Sequence, residues 1–408
     1  MRAKPPIFSP WYYRAKKCIA QNGLTNSKRP ESFILGQYPT HFKTGKGSVL
    51  VDVRGERYVD YICSLGPNLF GHGNERIARA VGLQLNKGTL FSMGSDVEVE
   101  AAERLKGLFP FIDRVKFLKS GTEACSAAIK IARASTKRTP ILVDGYHGWA
   151  DPFIDAYPAL GVDPGATKFT YRGVDKHRTK LSLGMFAAVI IEPVELDYSP
   201  DRMQWLNQLR EDCTKSKTIL IFDEIITGFR YPKMSVSVFH GINPDLICLG
   251  KAMGGGLPLS AVGGNTKLME ESEYFVSSTF GGDTLALRAF LEICGMFMEA
   301  KWSMEDLWTS GAYFLKKFNA LCPEAVMIEG YPTRGRFKGD TAFLHLFWQE
   351  CAKGGILFGP SWFYNYTLVE HNDSTLSICK DIIENIKSGR VKLEGEIPVS
   401  PFASKQRK

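Results

Sequence analysis

Apolar positions follow two rhythms along the chain. Residues 45–62 alternate in the manner of a hairpin. Gly47-Ser-Val-Leu-Val-Asp-Val forms one arm, Arg54-Gly55-Glu56 the turn, and Arg57-Tyr-Val-Asp-Tyr-Ile the other arm. Glycine stands where positive φ is cheap, and both arms are β-branched or aromatic. From residue 97 the period changes. Val99, Ala102 and Leu105 give 97–108 helical spacing, and 115–118 reads as a short strand. Residues 122–135 place Ala124, Ala127, Ala128, Ile131 and Ala132 on one helix face. Four apolar runs follow, at Ile141-Leu-Val, Ala187-Ala-Val-Ile-Ile, Thr218-Ile-Leu-Ile-Phe and Leu246-Ile-Cys-Leu. A helix at 202–214 lies among them, and Leu259-Ser-Ala-Val comes after a triple glycine. Apolar strands separated by helices predict an α/β fold whose mostly parallel sheet is covered on both faces. Residues 300–390 return to helix, strand, helix and predict a smaller α+β domain, its boundary on a helix starting at Thr284.

Composition narrows the class. At roughly 150 residues per domain, 408 residues suggest two or three domains. The chain is 44% hydrophobic and 23% charged, which argues against disorder, a collagen-like chain or a small disulfide scaffold. No apolar run reaches the ~18–20 residues of a membrane span. Lysine and arginine number 51 against 43 acidic residues, a net +8. The excess sits at the ends, because seven basic residues precede Glu31 and Lys405, Arg407 and Lys408 close the chain. Neither a nucleic-acid surface nor a membrane partner is expected from it. The nine cysteines are scattered, with no C-x-x-C pair. That pattern fits reduced thiols in a cytoplasmic protein and no metal site.

Four places carry candidate chemistry. Ser120-Gly121-Thr122 lies between a strand and a helix, where backbone amides, hydroxyls and a close-approach glycine suit a phosphate; a plain N-cap with Glu123 is the alternative. Asp223-Glu224 ends an apolar strand, where ligands bind in open α/β sheets. A Walker-B strand looks similar but needs a G-x-x-x-x-G-K-[ST] loop, which the chain lacks. Lys251 ends another apolar strand, where desolvation makes an amine nucleophilic. Tyr146-His147-Gly148 follows the 141 strand and offers an aromatic to a planar ring, or a packed loop. In this order the set is the kit for pyridoxal phosphate: phosphate cup, aromatic, aspartate for the pyridine nitrogen and lysine for a Schiff base.

The same segments resemble class III aminotransferases of the fold-type-I pyridoxal-phosphate superfamily, and most of all their glutamate-1-semialdehyde aminomutase branch. The matching stretches are Gly66-Pro67 to Gly71-His72, Ser120-Gly-Thr-Glu-Ala, Tyr146-His-Gly, Ile191-Glu-Pro-Val, Asp223-Glu-Ile-Ile-Thr-Gly-Phe-Arg, Pro244 through Lys251, and Gly254-Gly-Gly-Leu-Pro. The resemblance implies a large cofactor domain with a mostly parallel central sheet, placed at 61–295. The small α+β domain would take 1–60 and 296–408. Lys251 and Asp223 would be catalytic. Ser120, Gly121 and Thr122 would hold the phosphate, Tyr146 and Ile225 would flank the ring with His147 nearby, and Glu192 would orient groups by the ring hydroxyl. Ile225 is expected on the same strand face as Asp223. Thr279 would reach the phosphate of a partner subunit, which implies a homodimer with shared sites.

The implied reaction is amino transfer between a small amine donor and a carbonyl acceptor. The alternatives are a 2,1-aminomutase and, less favoured, a non-catalytic pyridoxal-phosphate-binding regulator. Several positions depart from the family pattern. Leu65 stands in its Ser-Trp-Gly-Pro motif, Lys119 before Ser-Gly-Thr, Trp149 after His-Gly, and Tyr364 at an acidic gate position. Leu65, Trp149 and Tyr364 are expected on the substrate side.

Overall fold

The first strands are those that the glycine-punctuated alternation marks. β1 (Phe42–Lys46), β2 (Val49–Asp52) and β3 (Arg57–Asp60) form an antiparallel meander. Asp52 builds the β2–β3 turn. Its Oδ1 accepts the amides of Arg54 (2.8 Å) and Glu56 (3.0 Å), and Gly55 takes φ +93°. The computed structural model describes residues 8–154, 161–270 and 273–398. These described residues divide into two compact units, one within 1–74 and 306–408 and one within 75–305.

The 75–305 unit holds a seven-stranded sheet. Its strands are β4 (Arg114–Leu118), β5 (Ile141–Asp144), β6 (Thr170–Arg172), β7 (Ala188–Ile191), β8 (Ile219–Asp223), β9 (Leu246–Leu249) and β10 (Ser260–Gly264). They lie in the order β4-β10-β9-β8-β7-β5-β6. β5 to β9 run parallel, and β10 is antiparallel to both β4 and β9. The pleat sends alternate residues to opposite cores. Ile141, Val143, Ala188, Ile190 and Ile221 pack under the helix Gly121–Thr136 with Ala124, Ala128 and Ile131. Leu142, Val189, Ile191, Leu220 and Phe222 face the other way, onto Leu206, Leu209 and Cys213 of the helix Pro200–Ser216. Burial on both faces is why these strands read as unbroken apolar runs.

In the other unit follow β11 (Val326–Tyr331), β12 (Arg334–Gly339), β13 (Ile356–Leu357) and β14 (Ser361–Phe363). β13 adds in parallel to β3, and β11-β12-β14 form an antiparallel sheet. Tyr364 belongs to the core of this unit. It is fully buried, lies tilted against Phe314 and Trp362, and donates its hydroxyl to Asn372 Oδ1 at 2.8 Å. The expectation that Tyr364 lines the substrate side is therefore corrected, since an aromatic ring filling a core has no surface left for a ligand.

The unit limits fall at 74/75 and 305/306 rather than at 60/61 and 295/296. Residues past β3 stay with the first unit because His72 bonds Asp60 (2.9 Å) and bridges Gly47. The helix Thr284–Met296 stays with the second because it packs on the helices Glu75–Leu85 and Asp96–Leu108. Among the described residues no helix is long and apolar enough to cross a membrane.

Candidate active site

Asp223 ends β8 on the same face as Ile221, pointing toward the helix Gly121–Thr136, and is 5% exposed. Three donors converge on its carboxylate. His147 Nδ1 lies 2.8 Å from Oδ2, Cys125 Sγ lies 3.4 Å from the same oxygen, and the Ile225 amide donates to Oδ1 at 3.0 Å. The second ring nitrogen of His147, Nε2, lies 3.0 Å from the Asp144 carbonyl oxygen. Carbonyl and carboxylate only accept, so both bonds require a proton on each nitrogen and the ring is an imidazolium. Burial presses the imidazole toward neutrality, but the hydrogen bond and charge of Asp223 outweigh it and raise the His147 pKa. His147 thus serves Asp223 rather than a ring face. Cys125, His147 and Asp223 offer atoms within 4.8 Å of one another. The 2.8 Å His147–Asp223 separation is a hydrogen bond's, shorter than the ~3.3 Å between two ligands ~2.0 Å from a tetrahedral zinc.

Ser120 caps the helix Gly121–Thr136. Its hydroxyl accepts the Glu123 amide while the Glu123 carboxylate accepts the Ser120 amide, so that hydroxyl is spent on a capping box. The amides of Gly121 and Thr122 belong to the first turn, which has no intrahelical acceptor, an arrangement that suits an anion. Two glycines shape the place. A Cβ on Gly121 would lie 3.2 Å from Ile225 Cγ2, and one on Gly148, at φ +109°, would lie 2.8 Å from Thr122 Cβ. The Trp149 amide donates to Thr122 Oγ1 at 3.4 Å, while the Trp149 side chain is largely exposed.

Lys251 opens a tight turn after β9 with φ +43°. Such a backbone costs a non-glycine residue roughly 1–3 kcal/mol and concentrates at functional positions. A Cβ on the preceding Gly250 would sit 3.4 Å from Ile225 Cγ2. Ile225 therefore packs against both the cup glycine and the backbone beside the lysine. It does so from the turn just beyond β8 rather than from the strand itself, its amide held by Asp223, and on the side that Ile221 faces, as expected.

Tyr146 is half exposed, and burial followed by the charge of Asp223 raises its pKa. Glu192 follows β7 and is buried, 3.6 Å from where a Gly145 Cβ would stand. Thr279 is exposed in the turn before Asp283. No described hydrogen bond joins it to the cup. Asp283 caps the next helix through the Leu285 amide (3.0 Å) and binds Lys119 Nζ (2.8 Å). Lys119 also donates to the Pro258 carbonyl at 3.1 Å. It thereby ties the cup strand to the glycine loop after Lys251.

Sequence reasoning missed Cys125, although it stands four residues after Gly121 on the same helix face. It also left Glu224 without a role. Glu224 is fully buried and accepts from Val236 N, Ser237 N, Ser237 Oγ and Thr227 Oγ1 at 2.7 to 2.9 Å. Burial raises its pKa, and its four bonds pin the turn that follows Asp223.

A groove of about 580 Å³ lies along β4, lined by residues including Glu98, Lys106, Phe117, Val276 and Ser278. No expected site residue lines it, so convergence of side chains, not cavity size, marks the site.

Comparison with known proteins bears on this geometry. A family model described as aminotransferase class-III matches residues 35–152 and 168–340. The glutamate-1-semialdehyde 2,1-aminomutase of Acetivibrio thermocellus is 32% identical over 388 residues, spanning 86% of this chain and 90% of that protein. The enzyme of the same name from Desulforudis audaxviator is 32% identical over 416 residues, with 90% and 95% covered. Among solved structures, the pyridoxal-phosphate internal aldimine form of the Sphingopyxis sp. MTA144 FumI protein superposes with a TM-score of 0.87 at 22% identity, covering 95% and 97%. A glutamate-1-semialdehyde aminomutase from Pseudomonas aeruginosa PAO1 in complex with PMP gives 0.79 at 18% identity, covering 91% and 93%. At these identities the structural likeness shows a common fold.

Proposed function

The chain belongs to the class III aminotransferase family, and on that premise we propose that it moves an amino group between a small amine or amino acid and an aldehyde or keto acceptor, with Lys251 and Asp223 at the centre. The family works with pyridoxal phosphate, and the fold is the fold-type-I α/β architecture. One observation carries the residue assignment: a strained strand-end lysine and a buried strand-end aspartate are joined through a single side chain, Ile225, to a glycine-built helix N-terminus.

The residues present fit the cofactor. Side chains on Gly121 or Gly148 would fill the cradle, and Asp223 is a buried anion backed by an imidazolium. When bound, pyridoxal phosphate supplies a ring that withdraws the electron pair released at the substrate carbon. The chain's own groups do the rest. Gly121 and Thr122 amides hold the phosphate, with Ser120 fixing their helix. Asp223 would keep the ring nitrogen protonated, and His147 holds Asp223. Ile225 and Tyr146 would flank the ring, and Glu192 would orient groups at the ring hydroxyl. Lys251 anchors the cofactor and carries the proton at the substrate carbon.

The proposed working unit is a cytoplasmic homodimer in which Thr279 completes the partner's phosphate site. Exposed Phe275, Phe280, Phe91 and Met93 support an apolar contact surface on the 75–305 unit. Eight buried free cysteines suit a reducing compartment.

A second reading, the 2,1-aminomutase, is favoured by the relatives' names. The test is a donor screen on the pure holoenzyme. Under the first reading an amine converts the bound cofactor to pyridoxamine phosphate, and turnover then needs a separate carbonyl compound. Rearrangement of one compound with no added acceptor would establish the mutase instead.

A further inference from the structure

Asp223 has about four lone-pair positions, two on each oxygen. Those of Oδ2 are both used, one by His147 Nδ1 at 2.8 Å and one by Cys125 Sγ at 3.4 Å. Oδ1 accepts the Ile225 amide and keeps one position open. Cys125 is fully buried on the helix whose first turn makes the phosphate cup, four residues after Gly121. Gly121 and Cys125 are thus stacked on one face, so one rigid helix addresses the cup at its end and Asp223 at its side. Cys125 also lies beside Cys248, which is the β9 partner of Asp223 in the sheet.

We propose that Cys125 is a positioning residue whose S–H fills the second lone pair of Asp223 Oδ2, which would leave Oδ1, on the Ile225 side, for the pyridine nitrogen. The inference rests on the reading of Asp223 given above. It extends that reading to a residue with no assigned role and to a choice between two oxygens.

The direction of the bond follows from chemistry. Burial, then the neighbouring Cys248 thiol and the Asp223 charge, push the Cys125 pKa well up, so the sulfur keeps its proton and donates. A thiolate there would face a carboxylate across 3.4 Å in a buried site. The plain alternative is a small residue filling space beneath β8, as Ala124 and Ala128 do. Packing alone would make alanine, valine and serine nearly equivalent. A positioning bond singles out serine, which keeps a donor.

The first measurement uses the cofactor-free protein. Infrared difference spectra against Cys125→Ala isolate one S–H band among the nine thiols. It should lie at lower frequency than a free thiol and shift toward the free position in Asp223→Asn. The second measurement is the pyridoxal phosphate dissociation constant. Cys125→Ala and Cys125→Val should weaken it roughly 2- to 10-fold, the scale of one net hydrogen bond, and Cys125→Ser should return within about 2-fold of wild type. Comparing alanine with valine separates donor loss from a cavity, and Cys125→Ser serves if either misfolds. A free-thiol band, or equal affinities for the serine, alanine and valine variants, overturns the proposal. Asp223→Asn keeps the two failures apart. If it leaves cofactor affinity and absorbance unchanged, the Asp223 reading is wrong. If it perturbs them while Cys125→Ala does not, only the role of Cys125 is lost.

Discussion

Replacing His147 by phenylalanine keeps the ring shape, and with it the edge contact to Phe153 at 5.8 Å, but removes both donors. The variant loses the 2.8 Å bond to Asp223 and the 3.0 Å bond to the Asp144 carbonyl, both at a site where His147 is 1% exposed. Breaking one side of a buried charged pair costs about 3–5 kcal/mol. The lower end applies because Asp223 keeps Cys125 and Ile225, so the loss is about 3 kcal/mol. For a unit of this size, at about 2–4 °C per kcal/mol, the melting temperature should fall roughly 6–12 °C. The loss also has a pH signature. The folded-state pKa of His147 is raised, so its contribution is full below the unfolded value of about 6.5 and is lost as pH rises through the folded value. The gap between wild type and His147→Phe should therefore be widest below about pH 6.5 and narrow as pH rises above it. The assay is thermal unfolding of the cofactor-free protein across that range, so that ligand binding does not enter. A drop below about 2 °C, or a gap that does not change with pH, would refute the imidazolium argument.

Further expectations follow from the same geometry. Borohydride treatment should leave the cofactor attached at Lys251, found by peptide mapping, and Lys251→Ala should retain some cofactor yet lose transamination; attachment elsewhere ends the assignment. Asp223→Asn should keep the fold and slow substrate deprotonation by about 10²- to 10⁴-fold in single turnover, and a near-wild-type rate would remove Asp223 from the ring. Gly148→Ala forces a Cβ toward Thr122 at φ +109° and should cost roughly 2–4 kcal/mol while weakening cofactor affinity; an unchanged melting temperature and affinity would show that the cradle has slack. Mixing Lys251→Ala with Thr279→Ala subunits should restore activity, because each heterodimer keeps one intact site. No recovery after confirmed subunit exchange would rule out sharing.

What was legible in the sequence follows from local physics. β7, β8 and β9 announce themselves because both faces are buried, and the Ser120–Glu123 box and the Gly55 turn carry their own chemistry. β6 went unread because Thr170, Tyr171 and Arg172 sit half buried at a sheet edge and show neither an apolar run nor alternation. Lys251 and Asp223 were readable as strand-end polar residues. Their supporting contacts were not, because the donors to Asp223 come from 76 residues away at His147 and 98 at Cys125. The substrate-side reading of Tyr364 failed for a related reason: linear alignment fixes a position in the chain but not the side to which β14 hands its ring.

The placement of β10 sets a schedule for synthesis. At the sheet edge β4 neighbours β10 alone among the described strands, with Leu118 opposite Ser260 and Arg114 opposite Gly264. Strands β5 to β9 can join one another as they leave the ribosome, but β4, made before all of them, must wait roughly 140 residues, or about 7–30 s at 5–20 residues per second. Through that interval the nascent chain carries an orphan strand, and the amides that β10 will occupy are open to any passing edge. The last strand of the sheet to be translated thus seats the first, and a ribosome that stalls after making Lys251 but before Gly264 holds a chain with its lysine and aspartate already made and its sheet unclosed.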